Sequence, residues 1–204
     1  MRRLSAIPAK LSQRQAFRTM SQEYKPDHSL LRTLHSNPCI NPTMSLSCNA
    51  VSNPSFETGT LSPWHAPINV ATITNGSTAY SGNYYLNLQT AVGNRGNTIS
   101  QGLRHLKRHT QYKFSVQAQL PSPSGSEYCS VYVYIGRNAT VGNIASAQLF
   151  HPGEWMEVAG SWVPRREQDV LNIVAACDSE DSSVTGNVLL DEIVFAPVDC
   201  YGLE

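Results

Sequence analysis

Fifteen carboxylates and six histidines run through this 204-residue chain, and their spacing decides which chemistry is open to it. A zinc-protease helix needs His-Glu with a second His one turn on, and none of the six histidines is followed by Glu. A serine nucleophile on a strand-to-helix elbow needs Gly-x-Ser-x-Gly, which does not occur, and no glycine set has phosphate-loop or dinucleotide spacing. Glycoside hydrolysis asks only for two carboxylates a suitable distance apart, so Glu57, Glu154, Glu157, Asp191 and Glu192 stay open on residue type alone.

Non-covalent chemistry is better provided for. A pyranose needs partners that both donate and accept hydrogen bonds, as Asn and Gln do, and an aromatic ring against its C–H face. Those residue types recur in short runs whose alternation has period two, which places successive side chains on opposite faces of a strand. In the run 110–120, Tyr112, Phe114, Val116, Ala118 and Leu120 share one phase, leaving Gln117 and Gln119 on the other. In 127–136, Cys129, Val131, Val133 and Ile135 take the apolar phase and Tyr128, Tyr132 and Tyr134 the wet one. In 83–89 the wet phase carries Tyr85, Asn87 and Gln89. The expectation is one binding face shared by these three runs.

Further runs near 50–57, 67–74, 96–102, 143–150, 154–163, 168–177 and 187–196 are separated by Gly, Pro, Asn and Ser clusters, with no amphipathic run of helix length. Ten short strands of that kind describe an all-β sandwich or barrel beginning near Cys48. Residues 1–47 are rich in Arg, Ser, Pro and Asn without sustained periodicity and read as a disordered leader or linker. They hold seven Lys or Arg against two acids and resemble a transit peptide, although a wrongly assigned start would also explain them. Residues 48–204 are net negative by five, which argues against nucleic acid or an anionic membrane surface as partner and favours a neutral one. No stretch approaches the ~18 apolar residues of a membrane span.

Five cysteines leave Cys39 in the leader and an even set in the domain. Cys129 and Cys177 share the inward phase of their runs, and Cys48 and Cys200 bracket the patterned region. Of three possible connectivities, Cys129–Cys177 with Cys48–Cys200 is the expected one. Asn75-Gly-Ser and Asn138-Ala-Thr are glycosylation sequons at expected turns. Sequons and cysteines together favour a secreted protein.

Asn53-Pro-Ser-Phe-Glu-Thr-Gly, Ser62-Pro-Trp64, Ala79-Tyr-Ser-Gly, Glu154-Trp155 and Leu189-Leu-Asp-Glu-Ile-Val, in that order over about residues 48–198, resemble the CenC-like carbohydrate-binding modules. The resemblance implies a jelly-roll sandwich of two antiparallel sheets that binds a glycan or cell-wall polysaccharide on its concave sheet without catalysis. It implies a structural calcium, with Glu57 and Asp191 at the ligand positions, and places Trp64 and Trp155 in the core, leaving Trp162 undecided. A sandwich that has kept the fold and lost the sugar site is the alternative, and a glycosidase a more distant one. Exposed aromatics beside amides on one sheet would mark the first; a flat face of Ser, Thr and Ala would mark the second.

Overall fold

Alternation over five to eleven residues becomes extended chain, because each apolar phase can be buried only by pairing strands into a sheet with one covered face. The structure, a computed structural model, describes residues 48–200 apart from positions 67, 68, 180 and 182. The expected leader, residues 1–47, lies outside the described residues.

Among the described residues nine strands form: β1 (Ala71–Asn75), β2 (Tyr84–Gln89), β3 (Asn97–Leu103), β4 (Tyr112–Gln119), β5 (Tyr128–Ile135), β6 (Asn143–Leu149), β7 (Trp155–Trp162), β8 (Asp169–Asp178) and β9 (Asn187–Pro197). One helical turn, α1 (Ala139–Gly142), precedes β6, and a short 3-10 helix, Val198–Cys200, follows β9. The tenth expected strand, 50–57, is a series of bends and turns. Asn53 and Phe56 have φ of 51° and 58°, and two left-handed residues three apart interrupt any regular ladder. The segment is instead laced irregularly to β9, with the Ala50 N–H donating to the Phe195 carbonyl at 2.9 Å and the Ile193 N–H to that of Pro54 at 3.0 Å.

Two antiparallel sheets result. One has five strands in the order β1-β2-β9-β4-β7, the other four in the order β3-β8-β5-β6. Their inner faces interlock: Leu86, Leu88, Phe114, Val116, Leu190 and Phe195 from the first meet Ile99, Val131, Val133, Leu171 and Ile173 from the second, all at 1% exposure or less. The sandwich expected from the sequence is therefore present, and the apolar phases of β4, β5 and β8 are the buried ones.

Both disulfides form as chosen. Cys129 faces Cys177 directly across the β5–β8 ladder, and Cys48 joins Cys200 at the two ends of the described chain. In β9 a one-residue bulge at Glu192, whose φ is 47°, shifts the register against β4 between Ser115 and Gln117. Asp191 therefore points out of the sandwich and Ile193 into it.

Candidate functional site

The topology divides the expected binding face. β2 and β4 belong to the five-stranded sheet and β5 to the four-stranded one. Tyr85, Asn87, Gln89, Gln117 and Gln119 therefore look out from one side of the sandwich, and Tyr128, Tyr132 and Tyr134 from the opposite side. Strand phase is local, whereas membership of a sheet depends on which distant strand pairs, so orientation within each run follows from alternation and the grouping does not.

On the five-stranded sheet, cross-strand register builds two rows. Thr72, Asn87, Leu189, Gln119 and Trp155 lie side by side across all five strands, and Asp191, Gln117 and Glu157 form the row beside them. Trp155 is thus an outward residue, half-buried, and not the core residue expected of it. Its phase mates Glu157 and Ser161 are polar, a signal present in the sequence. Trp64 is in the core at 2% exposure, and Trp162 faces inward, packed against it.

Several residues in outward phase are nevertheless buried: Tyr85, Leu189, Gln119 and Asp191 are between 0 and 9% exposed. Their cover is the loop 76–83 between β1 and β2, pinned at three points. The N–H groups of Tyr80 and Ser81 donate to Asp191 Oδ2 at 3.0 and 3.2 Å, those of Asn83 and Tyr84 donate to Glu57 Oε1 at 2.9 Å, and Trp155 Nε1 donates to the Thr78 carbonyl at 3.1 Å. Gly82 has a φ of 67°, and a β-carbon there would run into the Glu57 carboxylate, so only glycine closes the loop. The motifs Phe56-Glu57, Ala79-Tyr-Ser-Gly and Leu190-Asp191 are thereby explained as one lock on one loop.

Asp191 also accepts from the Glu192 N–H at 2.8 Å through Oδ1. Burial pushes its carboxyl up to about 6, against the pull of those backbone donors and with help from the Glu192 charge. Calcium is bound by six to eight oxygens, and three of the four carboxylate oxygens offered here, Glu57 Oε1 and both of Asp191, face amide donors. Among the described residues no cluster of three His, Cys, Asp or Glu could hold a metal. In this arrangement Glu57 and Asp191 act as hydrogen-bond acceptors for the loop. The melting temperature is accordingly expected to be unchanged by a calcium chelator; a fall that calcium alone restores would establish the site.

What remains open on this face is a recess of about 360 Å³ between the loop and β4–β7, lined by Thr78, Gln119, Ser122 and Trp155 among others. Tyr80, 51% exposed, stands edge-on to Trp155 with ring centroids 5.8 Å apart. Gln119 Nε2 donates to the Gly153 carbonyl at 3.0 Å, Gln89 Nε2 is tied to the Thr185 hydroxyl at 3.2 Å, and Asn87 Oδ1 is buried without a hydrogen-bond partner.

The opposite face has its own cluster. Tyr128 Oη donates to Asp178 Oδ2 at 2.9 Å, which raises the phenol above its usual range, and Asn94 Nδ2 donates to Asp178 Oδ1. Tyr132 is 45% exposed and Tyr134 half-buried. The sequons lie where turns were expected: Asn75 ends β1 and Asn138 caps α1, both exposed.

A family model described as a carbohydrate binding domain matches residues 48–178, and the chain belongs to that family. Among curated proteins, none matches. Solved structures share the fold at low identity. The CBM22-1 xylan-binding domain of Paenibacillus barcinonensis Xyn10C superposes with a TM-score of 0.53 at 21% identity, covering 71% of this chain and 91% of its own. The C-terminal family 22 module of Clostridium thermocellum Xyn10B gives 0.52 at 16%, covering 76% and 98%. TmCBM61, solved with β-1,4-galactotriose, gives 0.51 at 15%, covering 73% and 98%.

Proposed function

We propose that this carbohydrate-binding module is extracellular and non-catalytic, and that it holds a neutral glycan on the outer face of the five-stranded sheet, in the recess beside Trp155. The observation that carries the reading is the pair of accessible rings, Trp155 and Tyr80, standing at the recess beside Gln119. Ring faces stack on sugar C–H groups, while Thr78, Gln119 and Ser122 in the recess lining offer polar groups for hydroxyls. A flat face of Ser, Thr and Ala, the mark of a module that has lost its site, is not what stands here.

Non-catalytic binding is supported by the state of the carboxylates. Asp191 and Glu157 flank Gln117 from its two neighbouring strands, but Asp191 is wholly buried with both oxygens engaged by N–H groups and cannot reach a glycosidic oxygen. An extracellular setting is supported by two disulfides and two exposed sequons, and no helix among the described residues is long and apolar enough to cross a membrane.

Xylan and β-1,4-galacto-oligosaccharides, the ligands named for the structural neighbours, are the first probes on a glycan array. Trp155→Ala is expected to weaken binding at least tenfold, about 1.4 kcal/mol, by removing the stacking surface. Trp155→Phe, which keeps one six-membered ring for stacking while losing the second ring and the N–H bond to Thr78, should bind more tightly than Trp155→Ala. Equal binding by wild type and both variants places the site elsewhere.

A further inference from the structure

The net negative charge of the domain conceals a division. Of the eight Lys and Arg in residues 48–204, six, Arg104, Lys107, Arg108, Arg137, Arg165 and Arg166, fall on three connections: β3–β4, the turn from β5 into α1, and β7–β8. These connections are bound together by the main chain. Leu106 N–H donates to the Glu167 carbonyl and His109 N–H to that of Pro164, both at 3.0 Å, while Gly136 N–H donates to Val170 at 2.8 Å. Asn172 Nδ2 adds a bond to the Gly136 carbonyl at 2.9 Å, and Leu106, 2% exposed, plugs the β3–β4 loop into the core. The cations are presented by an ordered frame.

Two of the six are paired at the surface, Lys107 with Asp199 at 3.5 Å and Arg108 with Glu167 at 3.7 Å. Arg104, Arg137 and Arg166 make no ion pair among the described residues, yet all three line one cavity of about 680 Å³ with Gln168 and Asp169. The Asp169 carboxylate there accepts from the Val170 N–H at 2.9 Å. Arg104 also borders a neighbouring depression of about 810 Å³ that contains His65, His105 and Lys107. Three guanidiniums around one cavity with a single carboxylate, that of Asp169, among its lining leave a surplus of positive charge there, and a guanidinium fork matches a carboxylate in bidentate geometry. A cavity of this volume is within the ~300–1,000 Å³ range of small-ligand clefts.

We propose that this end of the sandwich is a second binding site, for the carboxylate groups of an acidic polysaccharide such as a polyuronate, held by Arg104, Arg137 and Arg166. The choice of polymer rests on the carbohydrate reading above. A guanidinium fork would also match a phosphate, so nucleic acid is the competing outcome of the test.

The test uses the full chain, so that the basic residues before Cys48 contribute equally to every variant. Polygalacturonate oligomers are titrated at two salt concentrations against wild type, Arg104→Gln/Arg137→Gln/Arg166→Gln, the single reversal Arg166→Glu, and Trp155→Ala. The triple variant is expected to lose at least tenfold in affinity and much of the salt dependence, with an unchanged melting temperature, and the reversal to weaken binding on its own. Trp155→Ala should bind polygalacturonate as wild type does. A triple variant that keeps wild-type affinity, a wild type that does not bind polygalacturonate, or a tenfold preference for a single-stranded oligonucleotide of equal charge would each overturn the proposal. Loss of polygalacturonate binding in Trp155→Ala alone would overturn it too, by moving the uronate to the other face. Failure of the neutral probes leaves these outcomes readable, since the two sites share no residue.

Discussion

Replacing Cys48 and Cys200 together by serine is expected to lower the melting temperature by about 10–20 °C. The bridge closes a loop of 152 residues, nearly the whole domain, and a loop of that length removes about 5 kcal/mol of entropy from the unfolded chain in the loop-closure model. Each kcal/mol moves the midpoint by about 2–4 °C in domains of this size. The folded state should survive the change at 25 °C. Asn49 still bonds Ile193 and Phe195 at 2.9 Å, and Ser52 still exchanges two hydrogen bonds with Gln101. Scanning calorimetry of the variant decides the matter. A shift under about 3 °C would mean that the unfolded chain is already compact enough to make the tie redundant.

The second large effect is one of pH and has the reverse of the usual sign. Most paired carboxylates lose stability as pH falls, because their folded pKa is depressed. Asp191 is raised to about 6 from 3.8, so the folded state binds its proton the more tightly. Its contribution to stability therefore rises as pH falls through 6 and levels off below 3.8. The full amplitude is about 3 kcal/mol, of which about 1 kcal/mol appears between pH 7 and 5. Asp191→Asn, which carries no charge at any pH, should lack this component. Urea unfolding of both proteins at pH 7 and pH 5 isolates it by difference, which removes the other acids from the comparison. Parallel pH slopes for the two proteins would sink the assignment.

Nine of the ten strands were legible because an apolar phase has to be buried whatever partner buries it, and local alternation therefore survives into the fold. The tenth is broken at Asn53, a residue type that tolerates left-handed backbone, and at Phe56, whose type gives no warning of it. The binding face was half legible. Outward phases on β2 and β4 were correct, but β5 pairs with β8 and β6, so its tyrosines belong to the other side. For Trp155 the polar company it keeps in β7, Glu157 and Ser161, points outward, against the core position that the family resemblance implies. Nothing local shows that loop 76–83 folds back over Asp191, a contact 110 residues or more away in sequence. The charge of the domain was read as an average, and only the topology brings Arg104, Arg137 and Arg166 to one end.

On the proposal above, that segregation within residues 48–200 favours one orientation before contact. Approaching an anionic surface at low ionic strength, this part of the chain is expected to lead with the end that carries Arg104, Arg137 and Arg166, with the sheet bearing Trp155 behind it. A polymer projecting from the surface then runs alongside the sheet. The orientation is set at distances up to the screening length, about 10 Å at 0.1 M salt, so added salt should slow capture on a charged wall more than it slows capture of the same glycan free in solution.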